Sequence, residues 1–579
     1  MKTFLAVTSI EDAIDKEAEK VVYIEDGCLK KKKKTEGFEV VEKPFTTTEE
    51  ISKHILIVKG EYEKILYELS IKLNEIHHKE LSVKAWRVIL CMWLPCYLEA
   101  MYSKYFHVMK AINDYDNLYS NVLSENSYIH PYYGYGCWIW MLKREDYNFQ
   151  LYSHIIEFLQ IEIKNRVDIK RNYNSAILNK KNNLKDIGKK LFNTLTMSAK
   201  TVIVNPQNFE LTFGNMIKLC IKSGFQMGFF YSNAFNIVPE EYNKEYRKRF
   251  ELKSTSKDSE FAKLVKKYIF EDIPTMYLEG FSKYINEFDR YRCKKIISAE
   301  DYPFYPAALL MGINENKKGK LYSIPFGGDG DIWQGMSEAY LDSTISDVLY
   351  TIGWKNEELD CELRKITNPR YWKAKMNMKH MEKTCDILYV ATATYAYCTH
   401  LSSVNSMFTK EYIEDSLKFL SDLSYDSEMK IRARFFCETG WQMEERMRIS
   451  AKNVKTDDYT KRFIDTVQES KLCVVDSFGT PWAEALAMNI PIIIIIPEYR
   501  EFFSKNGWEL VNKLKTIGVF HSSYKGAVKY IQKIINNIEV WWGNNERQNV
   551  IRQVKEKYVW CADNAKKEWM DEFISISKE

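Results

Sequence analysis

Two short apolar runs near the start, Lys2–Ser9 (KTFLAVTS) and Lys20–Ile24 (KVVYI), are bounded by charge and predict buried strands. From about Thr46 to Phe192 the pattern changes. Apolar and aromatic residues recur there at three- and four-residue spacing, as in Glu61–His78 (EYEKILYELSIKLNEIHH), which predicts long helices inserted in, or capping, an α/β sheet. Strand-like runs return at Lys200–Asn205 (KTVIVN), Cys293–Ser298 (CKKIIS) and Lys320–Gly328 (KLYSIPFGG), with helical segments between them. The segment 356–381, which contains Pro369 and has no clean period, reads as a linker. Beyond Lys383 strands and helices alternate regularly: strands at CDILYVATA, MKIRARFF, KLCVV, PIIIII and IGVFH, and helices near 411–423, 441–449, 458–468 and 499–515, with a short one from Pro481. That alternation predicts a doubly wound nucleotide-binding unit. The expected organisation is an N-terminal α/β domain over 1–355 with a helical insertion at about 46–195, a Rossmann-like domain over 383–540, and helices over 541–579 packing back on the N-terminal domain.

Composition narrows the class. The chain has 579 residues, 45% hydrophobic and 28% charged, enough for several folded domains. Its net charge of +4, from 83 basic against 79 acidic residues, is too even for a dedicated nucleic-acid binder. The run Lys30–Lys34 reads as a solvated hairpin tip, or as a patch against anionic lipid at a membrane surface. Twelve scattered cysteines without CxxC pairs suit a reducing cytoplasm. The most apolar long stretch, Val88–Phe106, carries Pro95, Glu99 and Lys104 and predicts a buried helix rather than a membrane span.

Candidate chemistry centres on Asp476–Thr480 (DSFGT), placed between a buried strand and a helix opened by Pro481. Such a turn points backbone amides and the positive end of a helix dipole at an anion. Gly479 admits close approach and a tight turn, Ser477 and Thr480 offer hydroxyls to phosphate oxygens, and Glu484 offers a carboxylate to a sugar hydroxyl. The competing structural reading is Thr480 as an ordinary helix cap. In Ile324–Gly335 (IPFGGDGDIWQG), Gly327 and Gly328 leave room for a ligand, and Asp329 or Asp331 is a candidate general base; an Asp-Gly turn is the plainer reading. Arg432 and Arg434 alternate on one strand face, and Arg434 near its end is placed to clamp a phosphate or to serve as a surface arginine. His400, in the loop after the strand at 385–393, faces the same cleft as a candidate base or is a packed or solvated histidine. His77 and His78 lack carboxylates at ligand spacing, and no P-loop, HExxH or GxSxG pattern occurs. No metal site is expected.

The segment Asp476–Ile495 (DSFGTPWAEALAMNIPIIII) is similar to the donor-binding segment of GT-B type glycosyltransferases. Together with GVFHSSYKGAVKYI at 518–531, IEVWWGNNERQ at 538–548 and NEIHHKELSVKAWRVILCMWL at 74–94, it resembles a family of transferases encoded with bacterial surface-polysaccharide genes. The resemblance implies a GT-B-like α/β fold of two Rossmann-like domains with a large N-terminal helical insertion. It also implies transfer from a nucleotide sugar, CMP- or UDP-linked, to a glycan or lipid-linked saccharide acceptor. The expected setting is cytoplasmic, at the inner face of the membrane, with no cofactor, no nucleic acid and peripheral membrane association. Family members often carry His where this chain has Phe326, which removes the plainest base. Two alternatives follow: a sugar-nucleotide epimerase or polyol-phosphate transferase of the same shape, and a carbohydrate-binding or assembly protein without catalysis.

Overall fold

The computed structural model describes residues 2–32, 37–91, 93–131, 141–169, 184–235, 240–299, 305–325, 327, 330–335, 338–398, 401, 407–425, 428–435 and 440–579. Three parallel sheets follow one another along the chain. The first contains β1 (Thr3–Ala6), β2 (Lys20–Tyr23), β3 (Glu39–Val40), β4 (Leu118–Leu123) and β5 (Glu162–Val167), in the order β3-β2-β1-β4-β5. The second contains β6 (Thr201–Val204), β7 (Met227–Phe230), β8 (Lys295–Ala299), β9 (Lys320–Ile324), β10 (Val348–Thr351) and β11 (Glu362–Lys365), in the order β11-β10-β9-β8-β6-β7. The third contains β12 (Cys385–Val390), β13 (Ile431–Arg434), β14 (Lys455–Thr456), β15 (Ser470–Val475), β16 (Ile492–Ile495) and β17 (Phe520–His521), in the order β14-β13-β12-β15-β16-β17. The order in the third sheet reverses between β12 and β15, the position where doubly wound sheets open a crevice.

The N-terminal strands do not join the sheet of residues 200–365 as expected. Instead β1 pairs with β4, and β4 with β5, two strands from the stretch whose pattern predicts helices. Those strands escape a pattern reading because β4 holds polar Ser120 and Asn121 in its buried middle, where the Ser120 hydroxyl donates to the Leu5 carbonyl at 2.7 Å, and because β5 is a largely exposed edge strand. The long helices are present: Thr48–His77, closed at its start by a reciprocal Thr47/Glu50 capping box, then Val83–Leu90 and Leu94–Asp114. Their residues within 88–106 are nearly all buried, as expected for that stretch, although it is split between two helices, and among the described residues no helix is long and apolar enough to cross a membrane.

One continuous core joins the first sheet, these helices and one face of the second sheet. The other face of the second sheet, through Ile203, Ile297, Tyr322 and Tyr350, is covered by the C-terminal helix Ala565–Lys578 with Trp569 and Phe573. Two cores flank the third sheet. The second and third sheets thus form two Rossmann-like units tied by a returning terminal helix, a GT-B-like arrangement, with the first sheet and helical section added before them.

Three local expectations change. The segment 356–381 is no linker: it supplies β11 and the helix Pro369–Met376, whose first residue is the very Pro369 that suggested a break. The helix expected at 458–468 starts later and is short, an α-helical turn Phe463–Thr466 continued by a 3-10 turn Val467–Glu469. Within Lys30–Lys34, Lys31 is exposed as expected, but Lys30 is buried, its ammonium paired with Glu145 and lying 5.1 Å from the Tyr397 ring centre; Lys33 and Lys34 lie outside the described residues.

Candidate active site

The turn after β15 has alternating roles. Asp476 is wholly buried, its carboxylate accepting from the hydroxyls of Tyr389 and Tyr412, both at 2.6 Å, and from the Thr392 amide at 2.8 Å. Burial pushes its pKa up, against the pull of the Arg500 charge. Phe478 is buried among Trp482, Phe503 and Phe520, with ring centres 5.1, 5.9 and 6.1 Å away. Anchoring these two leaves Ser477, Gly479, Thr480 and Pro481 at the sheet's carboxyl end, with Ser477, Thr480 and Pro481 half-buried.

The helix that follows, Thr480–Ala487, has Gly479 as its N-cap and no side-chain cap. Thr480 is therefore the first helical residue rather than the cap. Gly479 also departs from expectation. Its φ of −72° is open to any residue, so the turn does not need glycine for its backbone. A Cβ there would meet nothing closer than the Ser477 hydroxyl oxygen at 3.5 Å, so what glycine provides is open room over the helix start.

One helical turn further, Glu484 lines a cleft of about 400 Å³ shared by the second and third units. Asn208 and Glu210, from the loop after β6, line its second-sheet side, with Arg370 and Lys373 of the Pro369–Met376 helix; Arg462 comes from the third unit. Asn208 is held by donating to the Ala299 carbonyl at the end of β8 (2.7 Å), and Lys373 pairs with Glu210 at 2.6 Å. The cleft therefore sets basic side chains beside a helix that begins without a side-chain cap.

The loop after β9 is brought to the same place. Asn368 donates to the Pro325 carbonyl and Tyr371 to the Gly327 carbonyl, at 3.3 and 3.1 Å, so the start of the Pro369–Met376 helix carries this loop. That helix packs beside Thr480–Ala487. Further on, Gly330 takes a φ of +47° with the Trp354 indole against its Cα, which is why glycine stands there. Ile332 accepts from the Ser504 amide at 2.8 Å, and the Trp333 ring lies 5.2 Å from Phe503 and 6.2 Å from Phe478. The two clusters singled out from sequence are thus structurally joined. Gly328, Asp329 and His400 lie outside the described residues.

Asp331 is buried and accepts from Asn356 and Asn506 at 2.9 and 2.7 Å; burial raises its pKa. Its carboxylate ties the β9 loop to the helix Lys505–Thr516. Arg434 is likewise committed: it donates to Asp457 at 3.1 Å and to the Lys461 carbonyl at 3.2 Å, over the Tyr459 ring. It steadies the segment that carries Arg462 instead of reaching the cleft directly. Arg370, Lys373, Arg462 and Asn208 were not singled out from sequence. The signal for the first two was present in TNPRYWK, an Asn cap followed by Pro and then basic residues on the first turns.

The model of the LIC12162 family transferase matches residues 3–573. The chain belongs to the LIC12162 family of transferases. No curated protein matches it. Among solved structures, this LIC12162 family transferase is similar to the wall teichoic acid polymerase TagF at 11% identity and a TM-score of 0.34, over 68% of this chain and 93% of that one. It is similar to Acinetobacter baumannii MurG at 11% identity and a TM-score of 0.34, over 65% and 99%, and to TarM at 13% identity and 0.31, over 51% and 57%.

Proposed function

We propose that this LIC12162 family transferase moves a sugar from a nucleotide-activated donor, CMP- or UDP-linked, to a glycan or lipid-linked saccharide acceptor of the cell surface. The reading includes inversion at the anomeric carbon, no metal ion, and a cytoplasmic setting at the inner face of the membrane. The observation that carries it is the start of the Thr480–Ala487 helix, which lacks a side-chain cap and lies beside an interunit cleft furnished with Arg370, Lys373 and Arg462.

In this reading the donor phosphate meets the amides of the helix start and the hydroxyls of Ser477 and Thr480, with Arg370 and Arg462 adding positive charge. The acceptor hydroxyl attacks the anomeric carbon, the bond to the phosphate oxygen breaks, and Asp329 takes the acceptor's proton. Negative charge grows on the departing phosphate in the transition state, so these contacts favour turnover as well as binding. Glu484 accepts from a donor hydroxyl.

Calorimetry with UDP, CDP, CMP and GDP tests the reading. One of them binds the wild type, and Ser477→Ala/Thr480→Ala weakens it by about 3–6 kcal/mol, since each bond to a charged phosphate contributes about 1.5–3 kcal/mol. Absence of binding by all four, or an unchanged affinity in the double variant, removes the donor site. Product analysis then separates transfer from isomerisation of the sugar nucleotide or movement of a polyol phosphate.

A further inference from the structure

Two helices beside the edge strand β7 are apolar on their solvent side as well as on their buried side. In the first, Leu184–Leu195, Asn193 donates to the Tyr231 carbonyl at 3.0 Å and the Thr196 hydroxyl that follows donates to the Phe229 carbonyl at 3.2 Å. In the second, Phe213–Lys222, the Met216 sulfur accepts from the Tyr231 hydroxyl at 3.7 Å and the Cys220 thiol donates to the Met227 carbonyl at 3.5 Å. Both helices therefore run antiparallel to β7. Phe192 and Phe213 meet edge to face with ring centres 6.1 Å apart, which sets the two helices side by side. At about 100° per residue, Leu191 and Leu195 form one outward row, and Phe213, Ile217 and Ile221 form a second that Phe225 continues past the helix end. All six side chains are between 45% and 77% exposed, a contiguous apolar patch of the kind that marks an interaction surface.

Charge of one sign rims the patch. The same helical geometry puts Lys190 on the side of the leucine row away from Phe192, and Lys218 and Lys222 on the outer side of the Phe213–Ile221 row; all three are exposed. Over residues 188–226 the other basic residues are Lys189 and Lys200, and the one acid, Glu210, is spent on Lys373. Asp571 of the C-terminal helix, whose field reaches Lys218 and Lys222, is itself paired with Lys567. Rings and branched chains between two lysine rims match an anionic bilayer surface, where the apolar groups enter the interface and the ammonium groups meet lipid phosphates. A second copy of the patch would set like charge against like charge. The position also connects to the cleft: only Leu211 and Thr212 separate Phe213 from Glu210, which lines it.

We propose that the outer rows of the helices Leu184–Leu195 and Phe213–Lys222 seat this protein on an anionic lipid bilayer, with Phe213 and Phe225 among the headgroups and Lys190, Lys218 and Lys222 against lipid phosphates. The interunit cleft then opens beside the bilayer, and a lipid-linked acceptor reaches it without leaving the membrane. That approach of the acceptor rests on the function proposed above; the docking does not.

Cosedimentation of the full-length protein with vesicles tests the docking. Vesicles of phosphatidylcholine with about a third phosphatidylglycerol bind the wild type, binding falls as salt rises, and phosphatidylcholine alone binds it less. Phe213→Ser/Ile221→Ser lowers the partition coefficient by about tenfold or more, and Leu191→Ser/Leu195→Ser gives a second reading on the other helix. Lys218→Gln/Lys222→Gln weakens binding and flattens its salt dependence. A wild type that stays in solution with the anionic vesicles overturns the proposal, as does a wild-type partition coefficient in both apolar variants. So does a dimer in sedimentation velocity that Phe213→Ser/Ile221→Ser dissolves, since the rows then serve a second copy. Calorimetry with nucleotides keeps the two readings apart: the donor affinity of these variants is that of the wild type, and failure to bind vesicles leaves the donor site standing.

Discussion

Adding one methyl group at Gly27 tests the junction between the first and third sheets. Gly27 lies in the turn Asp26–Leu29 after β2, and its Cα faces the loop after β12. A Cβ there would be 2.7 Å from the Ala396 carbonyl carbon and closer still to its oxygen, against an ordinary carbon–carbon contact of about 3.5–4.0 Å. Both sides are backbone, so no side chain can rotate away and the two segments must part by about 1 Å, the shortfall from that ordinary contact. Overpacking of this kind costs about 1–3 kcal/mol, and the rigid partner puts Gly27→Ala at the upper end. For a unit of about 150–250 residues, about 3 kcal/mol lowers the melting temperature by about 6–12 °C. Differential scanning calorimetry reads the shift, and hydrogen exchange reads faster opening of 391–398. A Gly27→Ala protein that melts with the wild type and exchanges alike in that loop refutes the claim that the two sheets are locked together there.

His77 packs against the Phe281 ring, tilted, at 4.4 Å with its Nε2 3.1 Å from the Tyr277 carbonyl, and burial lowers its pKa from 6.5 to about 4. The unfolded chain therefore binds the extra proton, so this contribution is complete above pH 6.5 and is lost as pH falls toward 4, by up to about 3 kcal/mol. His77→Phe flattens the pH dependence of urea midpoints over that window; an unaltered slope contradicts the assignment. Trp569 is fully buried against Phe209 and Trp372 and donates to the Thr367 carbonyl at 2.9 Å, so Trp569→Ala costs about 3–5 kcal/mol in denaturant titration, and a loss below about 1 kcal/mol contradicts its place in the second core.

The third sheet was largely legible because its strands are continuous apolar runs separated by helices. In KLCVV and PIIIII burial on both faces leaves no ambiguity about type. The first sheet was not, because β4 and β5 present polar residues that tertiary bonds satisfy, as Ser120 does. Short β7 and β10 hide for another reason: Gly228 interrupts β7, where a Cβ would collide with Thr196, and β10 is only four residues long. At the site, the turn 476–480 was found through its small residues, and its half-buried surface suits that reading. Arg434 stays open between phosphate clamp and surface arginine in the sequence because alternation fixes its face but not its partner, and Asp457, to which it donates, is distant from it along the chain. The basic cluster of Arg370 and Arg462 arises only when two units meet, which spacing along one segment does not encode.

The placement of the Ala565–Lys578 helix has a consequence for biosynthesis. The middle unit is translated by about residue 376, yet a face of its sheet lacks part of its apolar cover until residues some two hundred positions later leave the ribosome. Until then Ile203, Ile297, Tyr322 and Tyr350 have only the cover that Phe209, Met216 and Leu219 of the same unit give them, and the rest of the face stays open to solvent or to whatever holdase reaches it, while the unit after it is free to fold. A nascent chain arrested before Trp569 should accordingly bind chaperones through its centre rather than through its newest end.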